Sequence, residues 1–457
     1  MHKTAIAALA AFALTLPAVT AAQAISDPIA IARDAAMADE VALDFVEDLT
    51  TEVGARQAGT EAEAQARAWA VARLSAMGFA NVRIEPFMMP TWVRGGEVAH
   101  LVAPYQHTVA ITALGNSAAT PANGMIGEIV GFSSLAEFEA APDNAVQGKI
   151  VYIGHAMRRT QDGSSYGAYG PVRFSGPARA STRGAAAIII RSVGTDNHRN
   201  PHTGNTTFPA GVAAIPAGAI SNPDADNLER ILARSDVPVR MHLLLTPRFL
   251  GQQESGNVIA EIPGSDPDAG IVVAACHLDS WDLGTGAIDD GAGCAIIAAA
   301  AQRVAAMGQP RRTIRLLLAG AEEVGIWGGR AYGERYGVDV RHAAALESDF
   351  GADRIWRVDF RLPVTAVSER IAAALSPIGI SRSGQTASGG ADIGALAQRG
   401  TPLVDLQQDG THYFDLHHTP DDTFDKIEPA ALAQNVAAWT ATLAILANAS
   451  ETLGEEE

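Results

Sequence analysis

Short apolar runs alternate with helical segments from residue 256 to the end of the chain. Near-continuous apolar runs are typical of strands that are buried on both faces, and the segments between them have the length of covering helices. The pattern therefore predicts an α/β fold with a mostly parallel, mixed sheet sandwiched by helices. The predicted strands are 257–262, 271–276, 313–319, 343–346 and 402–406, and the predicted helices are 290–307, 364–375, 391–398 and 429–448.

One further helix and one further strand are predicted before residue 100. Thr60 and Glu63 have the spacing of a capping box, in which each side chain satisfies a free backbone N–H at the start of a helix. The helix should run to Met77 and stop at Gly78. A strand should follow at 82–87.

The middle of the chain consists of short strands among Gly, Pro, Ser and Asn residues. We interpret 105–245 as an inserted β-rich domain, so that the main domain is split into 25–104 and 246–457. Strands are predicted at 126–130, 149–153, 185–190 and 241–245, and helices near 178–184 and at 224–233.

The first 24 residues have the pattern of a cleavable signal peptide. A basic start at Lys3 precedes an apolar run at 5–16, and cleavage is predicted near Ala24 in a small-x-small sequence. A membrane anchor is the alternative, but the run is shorter than the roughly 20 residues that a spanning helix needs. The mature protein is therefore expected to be periplasmic or secreted, and no later segment is predicted to span a membrane.

Composition excludes two classes of protein. The 457 residues are 47% hydrophobic and 18% charged, with a formal charge of −18. A chain this apolar can bury a core, so it is not disordered over most of its length. The acidic balance disfavours binding to nucleic acid, which requires a basic face.

Cys276 and Cys294 are the only cysteines in the sequence. Two cysteines are too few for a disulfide framework, and without further cysteines they do not form a metal site. A single bridge between them is one interpretation. Buried unpaired thiols that act as small apolar side chains are the favoured one.

Metal-ligand residue types follow three predicted strands. Ligands bind outside the carboxyl ends of the strands in open parallel sheets, so these side chains can converge on one rim. The residues are His277 and Asp279 after the first strand, Glu322 and Glu323 after the second, Glu347 and Asp349 after the third, with Asp289, Asp290, His417, His418 and Asp422 in loops.

Imidazole and carboxylate ligands without thiolate suit zinc, with manganese or cobalt as substitutes. A pair of ions bridged by a carboxylate can hold both an attacking hydroxide and a substrate carbonyl. Such a site also needs a carboxylate that does not bind metal and that transfers the proton. Glu322 and Glu323 can divide these roles, because adjacent residues of an extended segment point to opposite sides.

The ordered motifs resemble those of the M28 zinc exopeptidases, and most of all the carboxypeptidase Q branch. Outside the catalytic block, 54–59 and 90–95 are similar to the amino-terminal region of that branch, and 105–245 resembles its protease-associated insert. The motifs are HLDSWD at 277–282, AIDDG at 287–291, AEE at 321–323, ESD at 347–349 and HTPDDT at 418–423.

The resemblance implies two zinc ions and a role for each motif. Asp289 would bridge the metals, Glu322 would be the general base and acid, and Asp279 would accept a hydrogen bond from His277. His418 is preferred to His417 because the His-x-x-x-Asp spacing of the family fits Asp422 only from His418. One site would be completed by His277 and Asp349, and the other by Glu323 and His418.

Four further residues have two interpretations each, and for Asp290 the first is the metal-ligand type noted above. Tyr413 could donate its hydroxyl to a tetrahedral oxyanion, or be a packed aromatic. Gly389 and Gly390 could line the substrate pocket, or belong to an ordinary loop. Asp290 could simply cap the following helix.

These expectations describe a secreted dinuclear zinc exopeptidase that hydrolyses dipeptides or short peptides, with metal-bound hydroxide as the nucleophile. A non-catalytic receptor on the same scaffold and an aminoacyl cyclotransferase are the alternatives. The motifs do not distinguish aminopeptidase, carboxypeptidase and dipeptidase action. The resemblance also favours a homodimer.

Overall fold

Two eight-stranded sheets form the framework of the protein. The computed structural model describes residues 27–38 and 40–454, and the predicted signal peptide lies outside the described residues. The strands are β1 (Ala80–Val93), β2 (Glu97–Ala103), β3 (His107–Val109), β4 (Ile111–Ala113), β5 (Met125–Phe132), β6 (Ile150–Ile153), β7 (Ala187–Arg191), β8 (Ala217–Ile220), β9 (Arg240–Leu245), β10 (Arg248–Ile262), β11 (Ile271–His277), β12 (Thr313–Ala319), β13 (His342–Glu347), β14 (Ile355–Arg361), β15 (Ser381–Arg382) and β16 (Leu403–Gln408).

Helices cover the first sheet and fill the connections. They are α1 (Pro28–Ala36), α2 (Val41–Glu52), α3 (Glu61–Ala76), α4 (Leu135–Ala140), α5 (Ser164–Tyr169), α6 (Pro171–Phe174), α7 (Gly176–Thr182), α8 (Asn222–Arg234), α9 (Ala292–Ala306), α10 (Trp327–Tyr336), α11 (Thr365–Leu375), α12 (Gly394–Gln398), α13 (Tyr413–Leu416) and α14 (Pro429–Asn448).

The first sheet confirms the predicted mixed α/β fold. Its strand order is β1-β10-β12-β11-β13-β16-β14-β15, and its centre, from β12 through β11 and β13 to β16, is parallel. Successive residues of β11 point to opposite faces, so Val272 packs in the core under α9 and α14 while Val273 packs with Tyr332 of α10. Both faces are therefore apolar, as the near-continuous strand pattern predicts.

The second sheet lies in the segment between β1 and β10. Its order is β3-β2-β9-β5-β6-β7-β8-β4, with a parallel centre from β5 to β8. It includes β2, which begins at Glu97 and so precedes residue 105, the predicted start of the insert. Since β1 and β10 pair with each other from Ala80 to Val93, the segment leaves and re-enters the first sheet at one place.

The C-terminal helix α14 departs from one expectation. By length and composition this helix could span a membrane, whereas the sequence predicted no membrane-spanning segment after the leader. The helix is almost wholly buried and packs against α1, α9 and α11. A helix that is apolar on all sides is equally typical of a large protein core.

Two predicted helix starts are wrong in detail. Asp289 and Asp290 have non-helical backbone angles, and α9 begins only at Ala292. At the start of α3, Glu63 accepts from the Gly59 N–H at 2.8 Å, one residue before the N-cap Thr60 whose N–H a capping box would use. The Thr60 hydroxyl donates to the Gln57 carbonyl at 2.6 Å and caps no N–H of the helix, so the predicted capping box does not form.

The favoured interpretation of the cysteines is also wrong, because Cys276 and Cys294 form a disulfide. Both side chains are fully buried, as expected of small apolar residues. They face each other across the contact between the end of β11 and the first turn of α9, with their Cα atoms 5.2 Å apart. The bridge closes the loop that contains the His277 and Asp289 motifs.

Candidate metal centre and active site

The carboxyl ends of β11, β12 and β13 lie side by side. His277 is level with Ala319 of β12, and Ala275 is level with Glu347 of β13. The acidic pair Glu322 and Glu323 and the acid Asp349 follow these ends, so the topology brings the predicted site residues to one rim.

The first group of candidate ligands comprises His277, Asp289 and Asp349. His277 Nε2 is 3.1 Å from Asp289 Oδ1 and 3.4 Å from Asp349 Oδ1. One ligand atom of each residue lies within 4.8 Å of the others, and His277 and Asp289 are buried. The three residues could hold one metal ion.

The second group uses the other oxygen of Asp289. His418 Nε2 is 3.3 Å from Asp289 Oδ2 and 2.9 Å from Glu323 Oε2. His417 Nε2 lies 3.8 Å from Asp289 Oδ2, and its ring stacks on that of His418 with centroids 3.5 Å apart. The structure thus brings both histidines of the pair to the rim, and His418 makes the shorter contacts.

Asp289 is held in place by a neighbouring acid rather than by a helix. The Asp422 carboxylate accepts from the backbone N–H groups of Ile288 at 2.6 Å and of Asp289 at 3.3 Å. Burial and the negative charge of Asp289 raise the pKa of Asp422 to about 7. Asp422 therefore supports the Asp289 turn from behind.

Asp290 caps α9, which was one of its two interpretations. Its carboxylate accepts from the Gly293 N–H at 3.0 Å and from the His277 N–H at 3.1 Å. The side chain is fully buried, and its contact with the first ligand group is with the His277 backbone and not with the imidazole.

Asp279 differs from the expectation in one contact. His277 Nδ1 lies 2.9 Å from the Asp279 main-chain oxygen, whereas the Asp279 carboxylate is 3.8 Å away. The short turn after β11 folds the carbonyl back towards the ring, so the carbonyl fixes the imidazole. The carboxylate instead accepts from the Glu322 N–H at 3.0 Å and positions the proposed general base.

The donor set fits metal ions. Glu323 Oε1 is buried and has no hydrogen-bond partner among the described residues, and Asp289 Oδ2 faces only the His417 and His418 rings, without a well-aligned hydrogen bond. Burial of a carboxylate without a partner is unfavourable, and a cation is the usual compensation. Burial opposes the charged form of His418, but Glu323 and Asp289 outweigh it and raise the pKa of His418 to about 9.

Glu322 lies at the wall of a cavity of about 450 Å³ between the two groups. Burial raises the pKa of the Glu322 carboxyl well above its usual range, and the neighbouring acids add to the effect. A carboxyl group with a raised pKa can both accept and return a proton near neutral pH. Tyr413 also lines this cavity.

Gly389 and Gly390 line an adjoining cavity of about 290 Å³ together with Asp349. The Asp405 carboxylate accepts from the Gly389 N–H at 3.1 Å. A Cβ at Gly390 would lie 2.1 Å from the Glu347 carboxylate, so only glycine permits this approach. The Glu347 carboxylate accepts from the Ile393 N–H at 2.9 Å, and burial raises its pKa to about 8.

Sequence reasoning missed the residues that the second-sheet segment brings to the cavity. Tyr166 and Arg173 line it, and the Arg173 guanidinium donates to the Tyr166 hydroxyl. Arg173 Nη1 also lies 3.4 Å from His418 Nδ1. No local pattern marks these residues, because they meet the site only through the tertiary fold.

Comparison with known proteins agrees with this geometry. Residues 257–443 match the sequence model of Peptidase family M28. Carboxypeptidase Q of Bos taurus is 32% identical over 409 residues, which cover 89% of this chain and 85% of that protein. Carboxypeptidase Q of Homo sapiens is 31% identical with the same coverage.

Solved structures share the architecture. A Peptidase M28 precursor from Shewanella amazonensis SB2B matches with a TM-score of 0.90 and 43% identity, over 93% of this chain and 97% of that one. An aminopeptidase from Aneurinibacillus sp. strain AM-1 matches with a TM-score of 0.64 and 20% identity, over 94% and 98% of the two chains, which shows the fold alone. The chain therefore belongs to peptidase family M28, near carboxypeptidase Q, and is a metallo-exopeptidase.

Proposed function

We propose that the protein is a secreted dinuclear zinc exopeptidase that hydrolyses dipeptides or short peptides. The observation that carries the proposal is the position of Asp289, whose two oxygens face two different histidine–carboxylate groups. Such a shared carboxylate is what a two-metal site needs.

The five proposed ligands divide between two ions. Asp289 would bridge them, His277 and Asp349 would complete one site, and Glu323 and His418 would complete the other. Histidine nitrogen and carboxylate oxygen are ligands that zinc prefers, with manganese and cobalt as substitutes. When bound, zinc would polarise the scissile carbonyl and make a water molecule easier to deprotonate.

Glu322 supplies the proton transfer. Its carboxylate takes a proton from the attacking water and returns it to the leaving amine. The contact of its backbone N–H with Asp279 fixes its place at the cavity wall. The raised pKa of Glu322 keeps the protonated form available for the second of these steps.

Two further features would serve the substrate. The Tyr413 side chain lines the cavity beside Asp289 and Asp349, where its hydroxyl could donate to the developing oxyanion. The Gly389–Gly390 loop opens a second cavity next to Asp349, which has room for a substrate side chain.

The two alternatives are weaker. A receptor on the same scaffold would have no use for Glu322, which is held at energetic cost beside three other acids, Asp349, Asp392 and Glu323. The full set of ligands for two metals and the large second-sheet segment at the cavity weigh against an aminoacyl cyclotransferase.

The test is a dipeptide panel with free termini, blocked amino termini or blocked carboxyl termini, combined with metal analysis of the purified protein. We expect about two zinc ions per chain and hydrolysis of unblocked dipeptides. Retained cleavage of one blocked series identifies which terminus is recognised. A protein without metal that cleaves none of the panel would contradict the proposal and favour the receptor.

We also propose that the leader is removed near Ala24 and that the mature protein forms a homodimer. Mass spectrometry of protein from the periplasm or the medium should give a chain that begins near Ile25. Sedimentation velocity should give about twice the mass of one chain, and a monomer would contradict the dimer.

A further inference from the structure

We infer that His202, which lies in the second-sheet segment, is a positioning residue for the proposed metal ligand His418 and acts through the main-chain carbonyl of His417. The inference rests on the proposed function, because it takes His418 to be a ligand. It adds a residue, 215 positions from His417 in sequence, that holds one half of the metal centre.

The backbone at His418 needs to be held. His418 has a φ of +62°, in the left-handed region that residues with a side chain rarely adopt. Such a conformation persists when the surrounding structure determines it, and it is often found at functional sites.

The second-sheet segment binds the carbonyl groups on both sides of this strained residue. His202 Nδ1 lies 2.7 Å from the His417 oxygen, and the Thr203 N–H donates to the His418 oxygen at 3.0 Å. These two contacts hold the peptide groups that precede and follow His418. These contacts therefore fix the position of the His418 Cα, from which the imidazole extends to the metal centre.

His202 is itself immobilised. Its ring is fully buried, and Nε2 lies 2.7 Å from Asp196 Oδ1. Asp196 also accepts from the His198 N–H at 2.8 Å and from the Asn222 side chain at 3.3 Å. A Cβ at Gly194 would lie 2.1 Å from the ring, so the chain packs directly against the imidazole.

The same segment sets the orientation of the His418 ring. His418 Nδ1 lies 3.2 Å from the Thr203 carbonyl, which can accept its N–H and leave Nε2 free to face Asp289 and Glu323. A metal-binding histidine commonly donates its other ring nitrogen in this way, and loss of such support typically weakens metal binding 10- to 100-fold.

The loss of His202 should therefore affect one metal site and spare the other. His277 ends β11, Asp349 follows β13 and Asp289 is held by Asp422, and none of the three makes a hydrogen bond to His202 in the described structure. The Glu323–His418 site, in contrast, depends on the loop that His202 holds. A purely structural residue would lower stability without this asymmetry.

The experiment is a titration of the metal-free, full-length protein with Co²⁺. Calorimetry and the visible absorption of the bound ion measure the affinity of each binding event. In His202→Ala we expect one of two binding events to weaken about 10- to 100-fold and the other to change less than about threefold. His202→Asn, which keeps a donor near the Nδ1 position, should recover much of the lost affinity. Asp196→Asn provides a milder variant if His202→Ala does not fold.

The control is His107→Ala, which removes an exposed histidine from β3 of the same sheet and should bind both ions like the wild type. The inference would be overturned if folded His202→Ala or Asp196→Asn bound both ions as the wild type does, or bound both equally more weakly. The proposed function would not be affected by that result. A wild-type protein that binds fewer than two ions would overturn the proposed function first.

Discussion

Asp289 shows how a single side chain can organise the whole site. Its two oxygens face His277 and His418, which come from opposite ends of the catalytic segment. Its own orientation depends on Asp422, whose carboxylate accepts from the consecutive N–H groups of Ile288 and Asp289. The proposed bridge is thus positioned before any ion binds, which lowers the cost of assembling the site.

Gly390 offers a test of packing at the residue scale. A methyl group there would lie 2.1 Å from the Glu347 carboxylate, which could move only by losing the Ile393 N–H. We expect Gly390→Ala to lower the free energy of unfolding by about 1–3 kcal/mol, as overpacking usually does. Chemical denaturation of the purified variant measures this change.

Gly384→Ala is the matched control for that variant. Gly384 belongs to the same stretch of loop, and a Cβ added there meets no atom within 4 Å. Its substitution should change stability by less than about 0.5 kcal/mol. Equal effects of the two substitutions would contradict a specific contact between Gly390 and Glu347.

The candidate ligands could be predicted because His277, Glu323 and Asp349 stand at or just after strand ends, and Asp289 and His418 stand in loop motifs that resemble those of the family. The residues that hold these ligands in place could not be predicted. Asp279 reaches Glu322 with its carboxylate and His277 with its carbonyl, a division that no spacing reveals. His202 and Arg173 have no local signature at all, since they lie over 200 residues from His418 and meet it through the second sheet.

At the element scale, the strands of the first sheet were predicted within a few residues, apart from the exposed start of β10, the last six residues of β1, and β14 and β15, which were not predicted. Their apolar runs are near-continuous because both faces are covered. The helix α10 was missed, since its three glycines lower helix propensity and hide the periodicity. Tertiary packing explains the glycines of α10. At Gly329, for example, a Cβ would lie 2.5 Å from the Asp392 carbonyl.

The start of α3 predicts a pH dependence of stability. Burial raises the pKa of Glu63 from 4.5 to about 7, partly offset by the hydrogen bond from Ser255. Between pH 4.5 and 7 the folded protein therefore keeps a proton that the unfolded chain has lost, and the free energy of unfolding falls as pH rises through this window. The contribution of Glu63 is about 3 kcal/mol at most.

Glu63→Gln should remove this contribution, because the amide keeps the shape and does not ionise. Urea denaturation at a series of pH values should give a flatter profile between pH 4.5 and 7 than the wild type. Glu61→Gln, at an exposed position of the same turn, should leave the wild-type slope. A Glu63→Gln profile parallel to the wild type would contradict the assignment.

At the scale of the whole molecule, the second sheet is joined to the first at the ends of β1 and β10. Arg94 stands at this junction and binds both sides. Its guanidinium contacts the Asp282 carboxylate at 2.8 Å, Glu97 of β2 at 2.8 Å and the Thr203 hydroxyl at 2.9 Å. Arg94 therefore connects the catalytic loop, the second sheet and the segment that holds His418.

Arg94→Ala should leave two largely buried carboxylates without their cation. We expect a loss of about 3 kcal/mol or more in the free energy of unfolding, which is typical when one partner of a buried ion pair is removed. The measurement is thermal and urea unfolding against Arg248→Ala, an exposed arginine at the start of β10. Equal stability of the two variants would show that the junction does not depend on Arg94.

The most direct test of the proposed mechanism is Glu322→Gln, assayed for both metal content and dipeptide hydrolysis. The variant keeps all five proposed ligands, so it should retain the metal content of the wild type. Turnover should fall by about 10²- to 10⁴-fold, because the amide cannot transfer the proton. Hydrolysis at the wild-type rate by a fully metal-loaded Glu322→Gln protein would contradict the account.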